Sequence, residues 1–94
     1  MRNEEVVDVL NGIAQLLRVK KESIFKIRAY EKVAKEIGET SPDIAQLVRE
    51  NRLRDVPGIG DAIEKKITEL VTTGKLEYYE KLKAETAGVV DGQS

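Results

Sequence analysis

Five residues past the middle of the chain, Val56-Pro57-Gly58-Ile59-Gly60, restrict its architecture more than any other stretch. Proline fixes its own φ and has no N–H to donate, and the two glycines admit backbone conformations closed to other residues, so neither a helix nor a strand runs through the segment. On both sides apolar residues recur at helical intervals: Ile44, Leu47 and Val48 before it, Ile63, Ile67, Leu70 and Val71 after it. The pentapeptide therefore joins two helices through a tight bend at which backbones approach closely. Ile59 is left as an apolar plug between the two glycines.

The rest of the chain reads the same way. Val6, Leu10, Ile13 and Leu17, widened by Val7 and Ala14, predict a helix from Glu4 to Val19 capped by Asn3. Ile27, Tyr30, Ala34 and Ile37, with Val33, predict a second, which begins between residues 23 and 26 and stops at Gly38. Ser41-Pro42-Asp43 is a start signal for the third, with Ser41 as the cap. A short turn, Arg52 to Asp55, leads into the bend. The fourth helix runs from Asp61 to about Thr72 and is closed by Gly74, and the fifth from Leu76 to Ala84 carries Leu76, Tyr79 and Leu82. Residues 86–94 show no periodicity and read as a disordered tail. The expected fold is all-α, a compact bundle of four to five short helices over residues 1–85.

Composition removes several chemistries. The 94 residues contain no cysteine and no histidine, so disulfides, zinc–thiolate sites and Ser-His catalysis are excluded. No apolar run approaches the ~20 residues of a membrane span, and the charged start Met1-Arg2-Asn3-Glu4-Glu5 is no signal peptide. A cytoplasmic monomer without membrane partners is the expectation. Sixteen basic against seventeen acidic residues give a net charge of −1, so no global field attracts nucleic acid and local patterning has to carry any such case.

The bend carries one. Amides beside Gly58 and Gly60, together with the first turn of the Asp61 helix, form N–H donors at the positive end of a helix dipole, a fit for a phosphate oxygen. The plainer alternative is a helix-to-helix turn with no ligand. Basic residues gather at Arg18, Lys20, Lys21, Lys26 and Arg28, continuing to Lys32 and Lys35, opposed locally by Glu22, Glu31 and Glu36. Any one of these lysines taken alone reads as a solvated face.

Asp55 to Gly60, with Ile63 and Ile67 beyond them, resembles the helix-hairpin-helix of DNA repair proteins. More narrowly, Phe25-Lys26-Ile27-Arg28-Ala29-Tyr30 upstream and Thr73-Gly74-Lys75-Leu76-Glu77 downstream look like the amino-terminal domain of family X DNA polymerases, the DNA polymerase beta family, bacterial-type members above all. The likeness covers Val6 to Leu82. It implies a domain that grips DNA without reading sequence, binding the downstream strand of a gap and its 5′-phosphate in base excision repair. The DNA-binding residues it implies are Gly58, Ile59, Gly60, Lys26, Arg28, Tyr30, Lys65, Lys66 and Lys75. It also implies a Na+ or K+ ion held by the carbonyls of Arg54, Val56 and Ile59, and a polymerase domain as partner; the carboxylates of a polymerase palm are not in this chain.

Lys66 matches the lysine with which lyase-competent relatives form a Schiff base on an abasic sugar. Only a neutral amine attacks an aldehyde, so a lowered pKa is required, and Lys65 and Lys26 are the cations able to supply it. Ala62 and Tyr78, however, stand where such relatives carry further phosphate-binding lysines, and Phe25 where some have histidine. Asp61 is expected to cap the helix amides and so to repel a phosphate there, and Glu64 occupies a position usually small. Three readings are open: a DNA-backbone binding module, an abasic-site lyase working through Lys66, and a protein-interaction domain that keeps the hairpin as a relic.

Overall fold

The computed structural model describes residues 1–91, with side chains described through residue 88. It contains five α-helices, α1 (Asn3–Val19), α2 (Ile24–Thr40), α3 (Ile44–Arg49), α4 (Asp61–Thr73) and α5 (Glu77–Asp91), and a 3-10 turn at Leu53–Asp55 before the bend. No strand occurs among the described residues, and the all-α expectation holds. Helix α1 is the centre of the bundle, packed along α2 and α5. Val6, Leu10, Ile13 and Leu17 are each at most 1% exposed, so the predicted stripe faces inward along its whole length. Gly12 lets α5 come close: a Cβ there would lie 2.9 Å from Cζ of Tyr79.

The helix ends differ from the sequence reading. Arg2, not Asn3, precedes α1, and its N–H donates to Oε1 of Glu5 at 3.0 Å. Asn3 turns its side chain across the bundle instead, where Oδ1 accepts from the Ile44 N–H at 3.1 Å and Nδ2 donates to the Pro42 carbonyl. One amide thus pins the start of α1 to the start of α3, 41 residues away in the chain. Helix α2 runs through Gly38 to Thr40, and Ser41 takes the left-handed position that closes it (φ 50°). The cap of α3 is accordingly Asp43, whose carboxylate accepts from the Gln46 N–H at 3.1 Å.

Helices α1 and α3 also end on non-glycine residues in the left-handed region, Lys21 and Asn51, both at φ 59°. The next N–H in each case reaches back to a carbonyl in the last turn of the helix, Glu22 to Leu17 and Arg52 to Leu47, and these bonds hold the strained residue in place. Helix α1 stops at Val19 as predicted, and α4 closes on the predicted Gly74 at φ 79°.

Helix α5 corrects the tail. It continues past Ala84 to Asp91, and Thr86, assigned from the sequence to the disordered segment, is 1% exposed. Its hydroxyl donates to the Leu82 carbonyl at 2.8 Å, which satisfies the polar atom inside the helix and lets the residue pack as an apolar one. Periodicity missed it because a buried threonine is written as polar. Residues 92–94 of the expected tail lie outside the described residues.

Candidate nucleic-acid interface

The bend is shaped by two glycines with different tasks. Gly58 sits at φ 93°, and a Cβ on it would come 3.3 Å from Cγ2 of Val33, so its small size seats the bend on α2. Gly60 is extended (φ −102°, ψ −171°), faces open space and precedes α4 without any side-chain cap. Ile59 between them is 6% exposed and plugs the core as expected. Its N–H donates to the Val56 carbonyl at 3.2 Å, so this amide is internal and takes no part in a surface. Among the described residues the N–H groups of Gly58 and Gly60 meet no protein acceptor. The first bond of α4 runs from the Glu64 N–H to the Gly60 carbonyl at 2.9 Å, which leaves three further donors of the first turn without an intrahelical partner.

Asp61 does not cap these amides. Its Oδ1 accepts from Nη2 of Arg54 at 3.1 Å and its Oδ2 lies 3.4 Å from Nζ of Lys65. Arg54 also donates from Nε to Glu64 at 3.3 Å. One guanidinium therefore engages both carboxylates in the first turn of α4, and part of the negative charge expected beside the amides is neutralised. Glu64 fits beside the hairpin because its carboxylate ends on Arg54, and α3 and α4 still touch.

Beside the bend lies an open groove of about 560 Å³. Helix α2 contributes Lys26, Ala29 and Tyr30; the bend and α4 contribute Gly58, Gly60, Asp61, Ala62, Ile63 and Lys66; α5 contributes Tyr78. Two segments more than 25 residues apart in the chain, the Phe25 to Tyr30 motif and the bend, thus share one surface. Tyr30 is 4% exposed, and burial, with the Tyr78 phenol adding to it, pushes its own phenol well above the usual tyrosine range, so it stays a neutral hydrogen-bonding wall. Lys66 lies with Nζ 4.5 Å from the centre of the Tyr78 ring. Burial lowers its pKa, and the Lys26 ammonium across the groove lowers it further.

Not every expected residue is in the groove. Lys65 projects to the other side of α4, beside Asn51 and Thr68, so it is Lys26 and not Lys65 that acts on Lys66. Lys75 lies beyond the far end of α4, and Arg28 lies on the exposed face of α2 away from the groove lining. The sequence reading passed over Phe25 as a binding residue. At 80% exposed, next to Lys26 in the first turn of α2, it is the most exposed large apolar side chain of the described residues. An aromatic residue one position outside the apolar stripe was the signal that could have found it.

Two helices joined by a Gly-x-Gly bend, with unpartnered amides and two lysines around one groove, have the form of a helix-hairpin-helix. The profile of the helix-hairpin-helix domain family matches residues 1–76, and the chain belongs to that family. Helix-hairpin-helix domains bind DNA in general without reading its sequence. No curated protein and no solved structure matches the chain. No helix among the described residues is long and apolar enough to cross a membrane.

Proposed function

We propose that this domain holds the DNA backbone at a gap, with a 5′-phosphate in the groove between the bend and α2. The observation that carries the reading is the convergence of the Gly58 and Gly60 amides with Lys26, Tyr30 and Lys66 on one groove. Phosphate contacts fix position and carry no base information, so the preference is for a DNA structure. Phe25 beside Lys26 offers an exposed ring on which a base unstacked at the gap can rest. The cation implied by the family resemblance is compatible with the bend: the Arg54 and Ile59 carbonyls accept no hydrogen bond among the described residues, and the Val56 carbonyl accepts one. Na+ or K+ held there would offset the charge of a neighbouring phosphate.

The test is titration of labelled protein with gapped duplex, with and without the 5′-phosphate. Affinity should fall about tenfold when the phosphate is removed, the loss of one charge-assisted contact of roughly 1.5 kcal/mol. With ~3 to 5 phosphates neutralised, affinity should also drop with salt at a log-log slope of about −3 to −4. Equal binding to both duplexes, or a flat salt response, rules the reading out.

A second reading, abasic-site lyase, is favoured by the lowered pKa of Lys66 inside the same groove. The neutral Nζ attacks the aldehyde C1′ of an opened abasic sugar, and the carbinolamine hydroxyl takes up one proton from solvent and leaves as water, giving an iminium. Loss of a C2′ proton then expels the 3′-phosphate. Borohydride added to protein and abasic DNA should trap a covalent adduct, and a wild-type protein that yields none ends this reading.

A further inference from the structure

The groove does not close at Tyr78. Lys26 and Tyr78 also line a second, smaller depression of about 220 Å³, whose other walls include Lys20, Lys81, Glu22 and Glu85. Lys26 and Tyr78 are thus shared by the two. Three lysines reach the second depression from three separate parts of the fold: Lys20 from the end of α1, Lys26 from the first turn of α2, and Lys81 from α5, one turn beyond Tyr78.

The charges there are unequally committed. Lys20 Nζ lies 2.8 Å from Oε1 of Glu85, and the hydrogen bond keeps both ends ionised, raising the lysine pKa and lowering that of the carboxylate. Lys26 and Lys81 have no carboxylate within ion-pair distance among the described residues, and Glu22 is the one acidic side chain of the depression left outside a pair. A single phosphate at the bend is served by the amides, Lys26 and Lys66, and has no use for Lys81. A ligand that occupies both depressions needs two anionic groups joined by a neutral spacer able to cross an aromatic ring. A nucleotide strand has that form, with a sugar and base between successive phosphates.

We propose that the second depression is a phosphate subsite for a single-stranded 5′ extension that continues past the phosphate held at the bend. Lys81 is its main cation, and Lys20 joins when it exchanges Glu85 for the phosphate. This rests on the gap-binding reading above. The extension passes over Tyr78, which explains why a ring at this position is compatible with a groove built for anions: it guides a strand between two charged stations.

The experiment is a fluorescence-anisotropy titration of the full chain with two gapped duplexes, one ending at its 5′-phosphate and one carrying a short single-stranded 5′ extension. Lys81→Ala should weaken binding of the extended duplex about five- to tenfold and change the other by less than about twofold. Glu85→Gln, which frees Lys20, should strengthen binding of the extended duplex a few-fold, with helical circular dichroism unchanged. Equal effects of Lys81→Ala on both duplexes, or no effect on either, overturn the subsite. If instead Lys26→Ala and Lys66→Ala leave both duplexes unaffected, the reading of the bend itself fails, and that outcome is separate because it does not involve Lys81. A wild-type protein that binds neither duplex overturns both.

Discussion

Lys65 and Lys66 are neighbours of identical chemistry on α4, and the fold gives them opposite surroundings. A helix turns about 100° per residue, so one of two adjacent side chains faces the bundle when the other faces water. Lys66 stands one turn after Ile63, over the Tyr78 ring and opposite Lys26, partly buried and with a lowered pKa. Lys65 stands one turn after Asp61, 76% exposed and paired with that carboxylate. The comparison shows that a basic pair in sequence is not one site. Only the lysine on the side of the apolar stripe shares a groove with the Gly-x-Gly bend.

The sharpest way to break this contrast is substitution of each lysine in turn. Lys66→Ala should abolish the borohydride-trapped adduct and weaken binding to 5′-phosphorylated gapped DNA about tenfold, whereas Lys65→Ala should keep the adduct and change affinity by less than about twofold. The pH profile sharpens it. Burial and Lys26 both disfavour the ammonium of Lys66, so the reactive neutral amine accumulates as pH rises and does so below the usual lysine range. Adduct yield should rise with pH to a midpoint in that lowered window, and Lys26→Ala should move the midpoint upward.

The two glycines offer the same inner and outer contrast in stability. Gly58→Ala places a side chain at φ 93° and against Val33, and should cost about 1 to 2 kcal/mol, roughly 5 to 10 °C in melting temperature. Gly60→Ala meets nothing within 4 Å in an ordinary extended conformation and should cost less than about 0.5 kcal/mol. Thermal melts monitored by circular dichroism decide it, and equal losses would show that the bend is not seated on α2 through Gly58.

The smallest effect concerns Arg54, which pairs with Asp61 beside the bend. Arg54→Ala should weaken DNA binding about threefold by releasing the carboxylate to compete with phosphate. Adding Asp61→Ala should recover most of the loss, because the competitor is then gone. If the double variant binds no better than Arg54→Ala alone, Arg54 acts by direct contact with DNA.

How much of this was legible depends on the kind of residue. The inward stripes of α1, α2 and α4 were readable because apolar side chains at helical spacing have one place to go, and the bend because proline and glycine have few other uses. Helix ends were read poorly. Gly38 looked like a stop, but the left-handed position fell to Ser41, because where a helix closes depends on how the chain beyond it packs. Asn3 looked like a local cap, and its partners are at the start of α3, one of them 41 residues further on. Among the candidate site residues, Lys26, Tyr30, Gly58, Gly60 and Lys66 meet in the groove, whereas Arg28, Lys65 and Lys75 are elsewhere. Helical phase already separates Lys66 from Lys65, but nothing in the sequence tells that Lys26 and Tyr30 share a surface with the bend and Arg28 does not.

Sequence alone determined the helices, the position of the bend and the chain's membership of the helix-hairpin-helix family, since these rest on local backbone preferences and on a periodicity counted within one element. The tertiary structure decided which cations share a groove, which amide is internal, and where Asp61 points. Such outcomes depend on distances between elements, and a pKa or a hydrogen bond responds to a neighbour in space however far away it lies along the chain.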